Sequence, residues 1–161
     1  MMNTNKVKTF DLDLEGFYPE FMIKDIPDKS GIYFVFGATR ENKKLSCIKR
    51  LIYIGESKDV QERLEHHEKK PKFEDSLEDG ECLYYACVFL PKTERELCEK
   101  GLIKHFSASF GKGLINKLST KSFNTFYTCL KYNLKGKVPR FFVETDRVFE
   151  VEPRDYRSGN K

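Results

Sequence analysis

No run of apolar residues in this chain approaches the roughly 20 that a membrane-spanning helix requires. The opening Met1-Met2-Asn3-Thr4-Asn5-Lys6-Val7-Lys8 has no apolar stretch behind it, as a secretory signal would. The expectation is a soluble, cytoplasmic protein with no membrane partner. Cys47, Cys82, Cys87, Cys98 and Cys129 are scattered and form no CxxC pair, so the close Cys/His spacing of a zinc site is missing. Cys82, Cys87 and Cys98 stand in apolar runs and read as buried thiols. There is neither an internal repeat nor a low-complexity linker. One absence is local: from Lys100 to Val143 there is no Asp or Glu, while Lys100, Lys104, Lys112, Lys117, Lys121, Lys131, Lys135, Lys137 and Arg140 fall inside that span. The net charge is only +4, so its distribution carries the information. It suggests a cationic surface facing a polyanion, or lysines solvated on scattered faces.

At 161 residues, 39% of them apolar, the chain is long enough for one domain with a proper core. The stretch from Gly31 to Gly55 organises it. Gly31-Ile32-Tyr33-Phe34-Val35-Phe36 and Leu51-Ile52-Tyr53-Ile54-Gly55 are β-prone runs, separated by the polar Gly37-Ala38-Thr39-Arg40-Glu41-Asn42-Lys43-Lys44. They predict a β-hairpin with a long loop over 37–50. Alternation puts Ile32, Phe34 and Phe36 on one face and Tyr33 and Val35 on the other. In the second strand it groups Ile52 with Ile54 and Leu51 with Tyr53, so Tyr33 and Tyr53 can share a face.

Before the hairpin, Phe10, Leu12 and Leu14 alternate with acids as in a short strand, and Phe21-Met22-Ile23 can cover the core. After it, Glu56 to His67 reads as a helix with Ser57 as N-cap and Val60, Leu64 and His67 as the buried stripe, ending near Lys70-Pro71. Arg63 and His67, four apart, are neighbours on it. Glu74 to Glu81 reads as a solvated acidic loop, and Cys82 to Leu90 as a third strand. Thr93 and Glu96 form a capping box opening a further helix. There Glu99 falls in the middle of the apolar arc of Leu102, Ile103 and Phe106. An unpaired carboxylate on such an arc costs several kcal/mol. Glu99 therefore needs a cation, a metal or a proton; an ion pair with Arg63 and a place at the edge of a cleft are both open. Phe123 to Leu134 reads as extended and Arg147 to Glu152 as a last strand, and the tail from Pro153 is expected to lack fixed structure.

These residues together resemble the GIY-YIG nuclease superfamily. The resemblance runs through Gly31-Ile32-Tyr33, Tyr53-Ile54-Gly55, Arg63 and His67 on the next helix, Glu99 in Glu99-Lys100-Gly101-Leu102-Ile103-Lys104, and Asn116 in Leu114-Ile115-Asn116. It covers roughly residues 30–116, with every element in the family's order. It implies an α+β fold, a small three-stranded antiparallel sheet flanked by helices, here with a β-rich C-terminal extension. The division it suggests is 1–29 as a segment packing on the core, 30–120 as the nuclease-like domain, 121–152 as a basic, aromatic-rich extension and 153–161 as the tail.

The implied activity is metal-dependent endonucleolytic hydrolysis of DNA, in repair, recombination or defence against foreign DNA. By the resemblance Glu99 would be the ligand for Mg²⁺ or Mn²⁺, a hard oxygen donor to an ion that keeps waters and takes the phosphate. Arg63 would donate to the scissile phosphate. Tyr33 would be general base or proton relay; a free phenol titrates near 10, so the role of base needs Arg63 or the metal to lower its pKa. Tyr53 and His67 would orient or shuttle protons, and Asn116 would hold the site together. Lys104, Lys112, Lys117 and Lys121 are candidates for DNA contact. The alternative is a catalytically silent nucleic-acid-binding module that keeps the fold. Three features depart from the family pattern: the long separation of the two tyrosines, Glu56 where a Lys or small polar residue is common, and a second histidine, His66, beside His67.

Overall fold

A computed structural model describes residues 6–110, 114–116, 123 and 125–153. Its strands are β1 (Val7–Pro19), β2 (Gly31–Glu41), β3 (Lys44–Ser57), β4 (Glu81–Phe89), β5 (Cys129–Gly136) and β6 (Val148–Val151). A short 3-10 helix (Glu20–Asp25) follows β1, and the α-helices are α1 (Val60–Glu65), α2 (Lys70–Asp75), α3 (Lys92–Phe110) and α4 (Glu144–Arg147). Among the described residues no helix is long and apolar enough to cross a membrane.

The expected three-stranded sheet is overturned: one mixed six-stranded sheet runs in the order β3-β2-β4-β1-β5-β6. The antiparallel trio β3-β2-β4 is its first half. The expected short strand at Phe10 is instead 13 residues long. Its second half pairs antiparallel with β4 and its first half runs parallel to β5, so it joins the C-terminal strands to the trio. Alternating Phe10, Leu12 and Leu14 bury one face of it. Tyr132 of β5 then locks to α3, donating its hydroxyl to the Cys98 carbonyl at 2.9 Å. Gly101 makes room for that contact, since a Cβ there would stand 2.0 Å from the Tyr132 hydroxyl oxygen. A glycine inside a helix costs roughly 1 kcal/mol against alanine, and here the close approach explains it.

The sheet is covered on both faces. Ile32, Phe34 and Phe36 pack with Leu102 and Phe106 of α3 and with the apolar side chains of β1, β5 and β6. Tyr33 and Val35 pack with Val60 and Leu64 of α1 and Phe73 of α2. The hairpin differs from expectation in two ways. The 37–50 stretch is not a loop: β2 and β3 continue to Glu41 and Lys44 and turn through Asn42 and Lys43, both at positive φ (52° and 64°). Two consecutive left-handed residues make the tight turn whose twist suits a hairpin. Gly37, expected to open the loop, lies within β2 beneath the Arg50–Glu81 ion pair (2.6 Å), where a Cβ would come within 3.0 Å of the Glu81 carboxylate. Second, a bulge between Val35 and Phe36 breaks the alternation of β3, so Ile52 joins the face of Tyr53 and Leu51 joins that of Ile54.

Beyond β3, Asp59 rather than Ser57 caps the next helix, accepting from the Glu62 N–H at 3.0 Å. The expected helix from Glu56 to about Lys70 is only the short α1, which ends at Glu65. Lys70-Pro71, expected to close it, instead opens α2, which runs to Asp75 and so into the stretch expected as an acidic loop. Val60, Leu64 and His67 are nevertheless all buried. α3 begins at Lys92, directly after Pro91, so Thr93 lies inside its first turn and not at the cap.

Candidate active site

The Gly31 end of β2 lies against the Ser57 end of β3, and Tyr33 stands directly across from Gly55. A Cβ at Gly55 would lie 2.2 Å from the Tyr33 ring carbon and hydroxyl. The glycine thus creates the space that the Tyr33 side chain fills. Tyr33 and Tyr53 share a face, as expected, with ring centroids 6.2 Å apart and planes 28° from parallel.

His67 sits edge-on to both tyrosine rings, at 5.6 Å from Tyr33 and 5.4 Å from Tyr53, and against Phe73 at 4.8 Å. Its Nε2 lies 2.8 Å from the Tyr33 hydroxyl, and its Nδ1 accepts the backbone N–H of Lys69 at 3.1 Å. A neutral imidazole has one donor and one acceptor. With Nδ1 accepting, Nε2 carries the proton and donates to Tyr33. Burial first, then the charge of Arg63, lowers the His67 pKa to about 4, which keeps the ring neutral. His66 ends α1 as an exposed residue, so of the two histidines it is His67 that belongs to the site.

Burial pushes the Tyr33 phenol well up, while a hydrogen bond from Arg63 and its charge pull the other way. Tyr53 is likewise pushed up by burial, then by Glu99. Both tyrosines feel the charges of Arg63 and Glu99, so the two charged groups lie within electrostatic reach of the tyrosine pair. The possible Arg63–Glu99 ion pair is not formed. Arg63 pairs with the exposed Glu68 at 3.1 Å. Glu99 has no hydrogen-bond or ion-pair partner within the described part of the chain. Burial, then the nearby Glu56, raises its pKa to about 7.

Glu56 itself is answered by Arg95. Arg95 is 8% exposed, and its guanidinium hydrogen-bonds the Glu56 carboxylate and donates to the Ser30 hydroxyl at 2.9 Å. Ser30 passes the link to the Leu90 carbonyl at 2.6 Å. Sequence reasoning missed Arg95, although the wheel that singled out Glu99 places Arg95 one turn earlier on the same side of α3. It also missed Lys69, whose ammonium lies 5.6 Å from the Tyr53 ring centroid.

Asn116 reaches no reacting group. Its Nδ2 donates to the Ile54 carbonyl and its Oδ1 accepts the Ile54 N–H, both at 2.8 Å. With Ile115 N–H on the Ile52 carbonyl at 2.7 Å, it caps the open edge of β3 at the Tyr53-Ile54-Gly55 tripeptide, on the side away from β2. Lys104 donates to the Glu152 carbonyl at 2.6 Å, tying α3 to the C-terminal strand. Lys112, Lys117 and Lys121 lie outside the described residues.

Among the described residues no three His, Cys, Asp or Glu side chains converge as a metal cluster. A divalent ion here would hold one protein carboxylate and fill its shell with water and phosphate, as Mg²⁺ commonly does. Glu99 fits that: it is a hard oxygen donor, mostly withdrawn from water, whose proton affinity burial and Glu56 raise and the charge of the neighbouring Lys100 only partly offsets. Comparison with protein-family models, with curated proteins and with solved structures returns no match, so the reading of this site rests on its own geometry.

Proposed function

We propose that this chain is a GIY-YIG-type endonuclease that hydrolyses phosphodiester bonds in DNA. The observation that carries the reading is that Tyr33 and Tyr53, stacked at one end of the β2–β3 pair with His67 bound to Tyr33, both feel the charges of Arg63 and of a Glu99 that has no hydrogen-bond or ion-pair partner among the described residues. Structural packing alone needs no unpaired carboxylate beside two tyrosines.

Arg63 is half-buried and its carboxylate partner is exposed, so a phosphate can replace Glu68 and receive the guanidinium donors. Charge developing on the phosphate oxygens in the transition state strengthens that bond. Tyr33 acts as base once its own hydroxyl proton has passed to bulk water, and its oxygen then takes the proton of the attacking water, so one proton leaves for solvent and one stays on the phenol. The phenolate that does so is favoured by the Nε2–H of His67 and by Arg63, and opposed by burial. His67, with its Nε2 already protonated, holds Tyr33 as a donor and is not the final proton acceptor. Tyr53 walls the site and, through Lys69, places a second cation near the substrate backbone. Glu99 would hold Mg²⁺ or Mn²⁺, which when bound polarises the phosphate and supplies positive charge to the leaving oxygen.

The test is cleavage of supercoiled plasmid and of branched DNA with Mg²⁺, comparing wild type with Glu99→Ala. Cleavage by wild type alone is the expected result. Binding without cleavage of any form would leave a nucleic-acid-binding module. No binding, or binding indifferent to salt, would remove nucleic acid altogether, because contacts from lysine to phosphate weaken as salt rises.

A further inference from the structure

A second surface lies on α3, about a quarter turn of helix from Glu99, on the side that carries Lys100. It is a groove of about 970 Å³ between the start of α3 and the 125–127 segment. Lys92, Glu96 and Lys100 line it from the helix, and Phe123, Phe126 and Tyr127 from the other wall. Phe126 is 89% exposed, more than any other large apolar side chain described.

This exposure is built. The Phe123 N–H is bound to the Pro153 carbonyl at 3.0 Å and the Thr128 N–H to the Lys6 carbonyl at 2.8 Å, so the segment is tied down on both sides of Phe126. Within it, the Thr125 N–H binds the Phe123 carbonyl and the Tyr127 N–H binds the Thr125 hydroxyl. Lys6 lies 5.9 Å from the centroid of the Phe126 ring, and Lys104 5.9 Å from that of Phe123. Aromatic rings at fixed positions, interleaved with ammonium groups, match a chain that alternates flat bases with phosphates. A duplex buries its bases in the stack and offers nothing to such rings. Lys92 and Lys100 against the single acid Glu96 give the groove walls the sign a polyanion requires.

We propose that this groove binds an unpaired, single-stranded stretch of nucleic acid, with Phe126 and Tyr127 stacking on bases and Lys92 and Lys100 meeting phosphates. The proposal rests on the nuclease reading for its placement and gives that reading a substrate class: DNA with a single-stranded arm or gap beside the cleaved bond.

The test is binding of a fluorescent oligothymidine to the full chain in EDTA, by anisotropy, at low and raised salt. Wild type binds; Phe126→Ala weakens binding about tenfold, and Phe126→Trp restores it, as the loss and return of one base–aromatic stack would. Lys100→Gln flattens the salt dependence. Because Phe126 is exposed, its replacement leaves the fold intact, which the thermal transition checks. Equal affinity of Phe126→Ala and wild type, or no affinity for the oligonucleotide, overturns the proposal and leaves the groove to a protein partner. Binding needs no cleavage, so an inactive wild type that still loses oligonucleotide with Phe126→Ala sinks the nuclease reading alone. An active wild type whose binding ignores Phe126 sinks this proposal alone.

Discussion

The Nε2 of His67 stands 2.8 Å from the Tyr33 hydroxyl, and the Lys69 N–H on the far side of the ring sets the direction of that bond. His67 donates and Tyr33 accepts. Replacing His67 with Ala removes a donor to a developing phenolate, a loss of about 1.5–3 kcal/mol, or 10- to 100-fold in turnover. His67→Gln, whose amide can still donate, should keep more of the rate than His67→Ala. Single-turnover cleavage of one DNA substrate by both variants is the measurement. Equal loss in the two would remove the hydrogen bond from the mechanism.

Activity should rise with pH through about 7, the value to which burial and Glu56 raise Glu99. Below it Glu99 holds a proton and cannot serve as a ligand, and the rate should fall about tenfold per pH unit. A pH–rate profile at Mg²⁺ well below saturation checks this. Saturation with metal should shift the midpoint downward, since metal and proton compete for one carboxylate.

The same shift acts on stability. Folding raises the Glu99 pKa from 4.5 to about 7, so its contribution is full below 4.5 and lost as pH rises through 7. Glu99→Gln keeps the neutral form at all pH. It should match wild type at pH 4 and exceed it at pH 8 by on the order of 1–3 kcal/mol in metal-free urea unfolding. A variant less stable than wild type at pH 8 would show that Glu99 has a cationic partner in solution.

Glu68 occupies the Arg63 guanidinium in the free protein. Glu68→Gln should tighten DNA binding several-fold by removing a competitor for phosphate, an effect that fades with salt. Arg63→Ala should abolish turnover and leave the thermal transition close to that of wild type. Normal cleavage by Arg63→Ala would take Arg63 out of the mechanism.

Asn116→Ala should cost about 1–3 kcal/mol, because it strips both the N–H and the C=O of Ile54 of their partners. Gly55→Ala should cost as much by driving a methyl into the Tyr33 ring. Asn116→Ala lowers activity through the placement of β3. Raised glycerol or a stabilising osmolyte should therefore rescue part of it, and no rescue with a native melting curve would point to direct contact with substrate.

Much of the site was legible in the sequence because its signals are local. Tripeptides in β-prone runs placed Tyr33 and Tyr53 on one face, and Glu99 betrayed itself as a carboxylate on an apolar arc, whereas the expected i, i+4 pairing of Arg63 with His67 on one helix is not formed, because α1 ends at Glu65. What failed depended on partners far along the chain. The bulge that regroups Leu51 and Ile52 is invisible to strict alternation. The two-residue turn at Asn42 and Lys43 looked like part of a loop because the flanking strand residues are polar. The sheet grew from three strands to six because β1 has two neighbours, β4 and β5, and strand pairing is set by side chains on both faces at once.

By itself, then, the sequence determined the two tyrosines, their strands, the helical Arg63 and the misplaced Glu99, since each is encoded in the periodicity of a single element. Only the tertiary structure decided which charge each group would answer. It gave Glu68 to Arg63, Arg95 to Glu56, the donor of His67 to Tyr33, and among the described residues no hydrogen-bond or ion-pair partner to Glu99. Those pairings join residues on different elements, and burial between elements sets the dielectric in which they act.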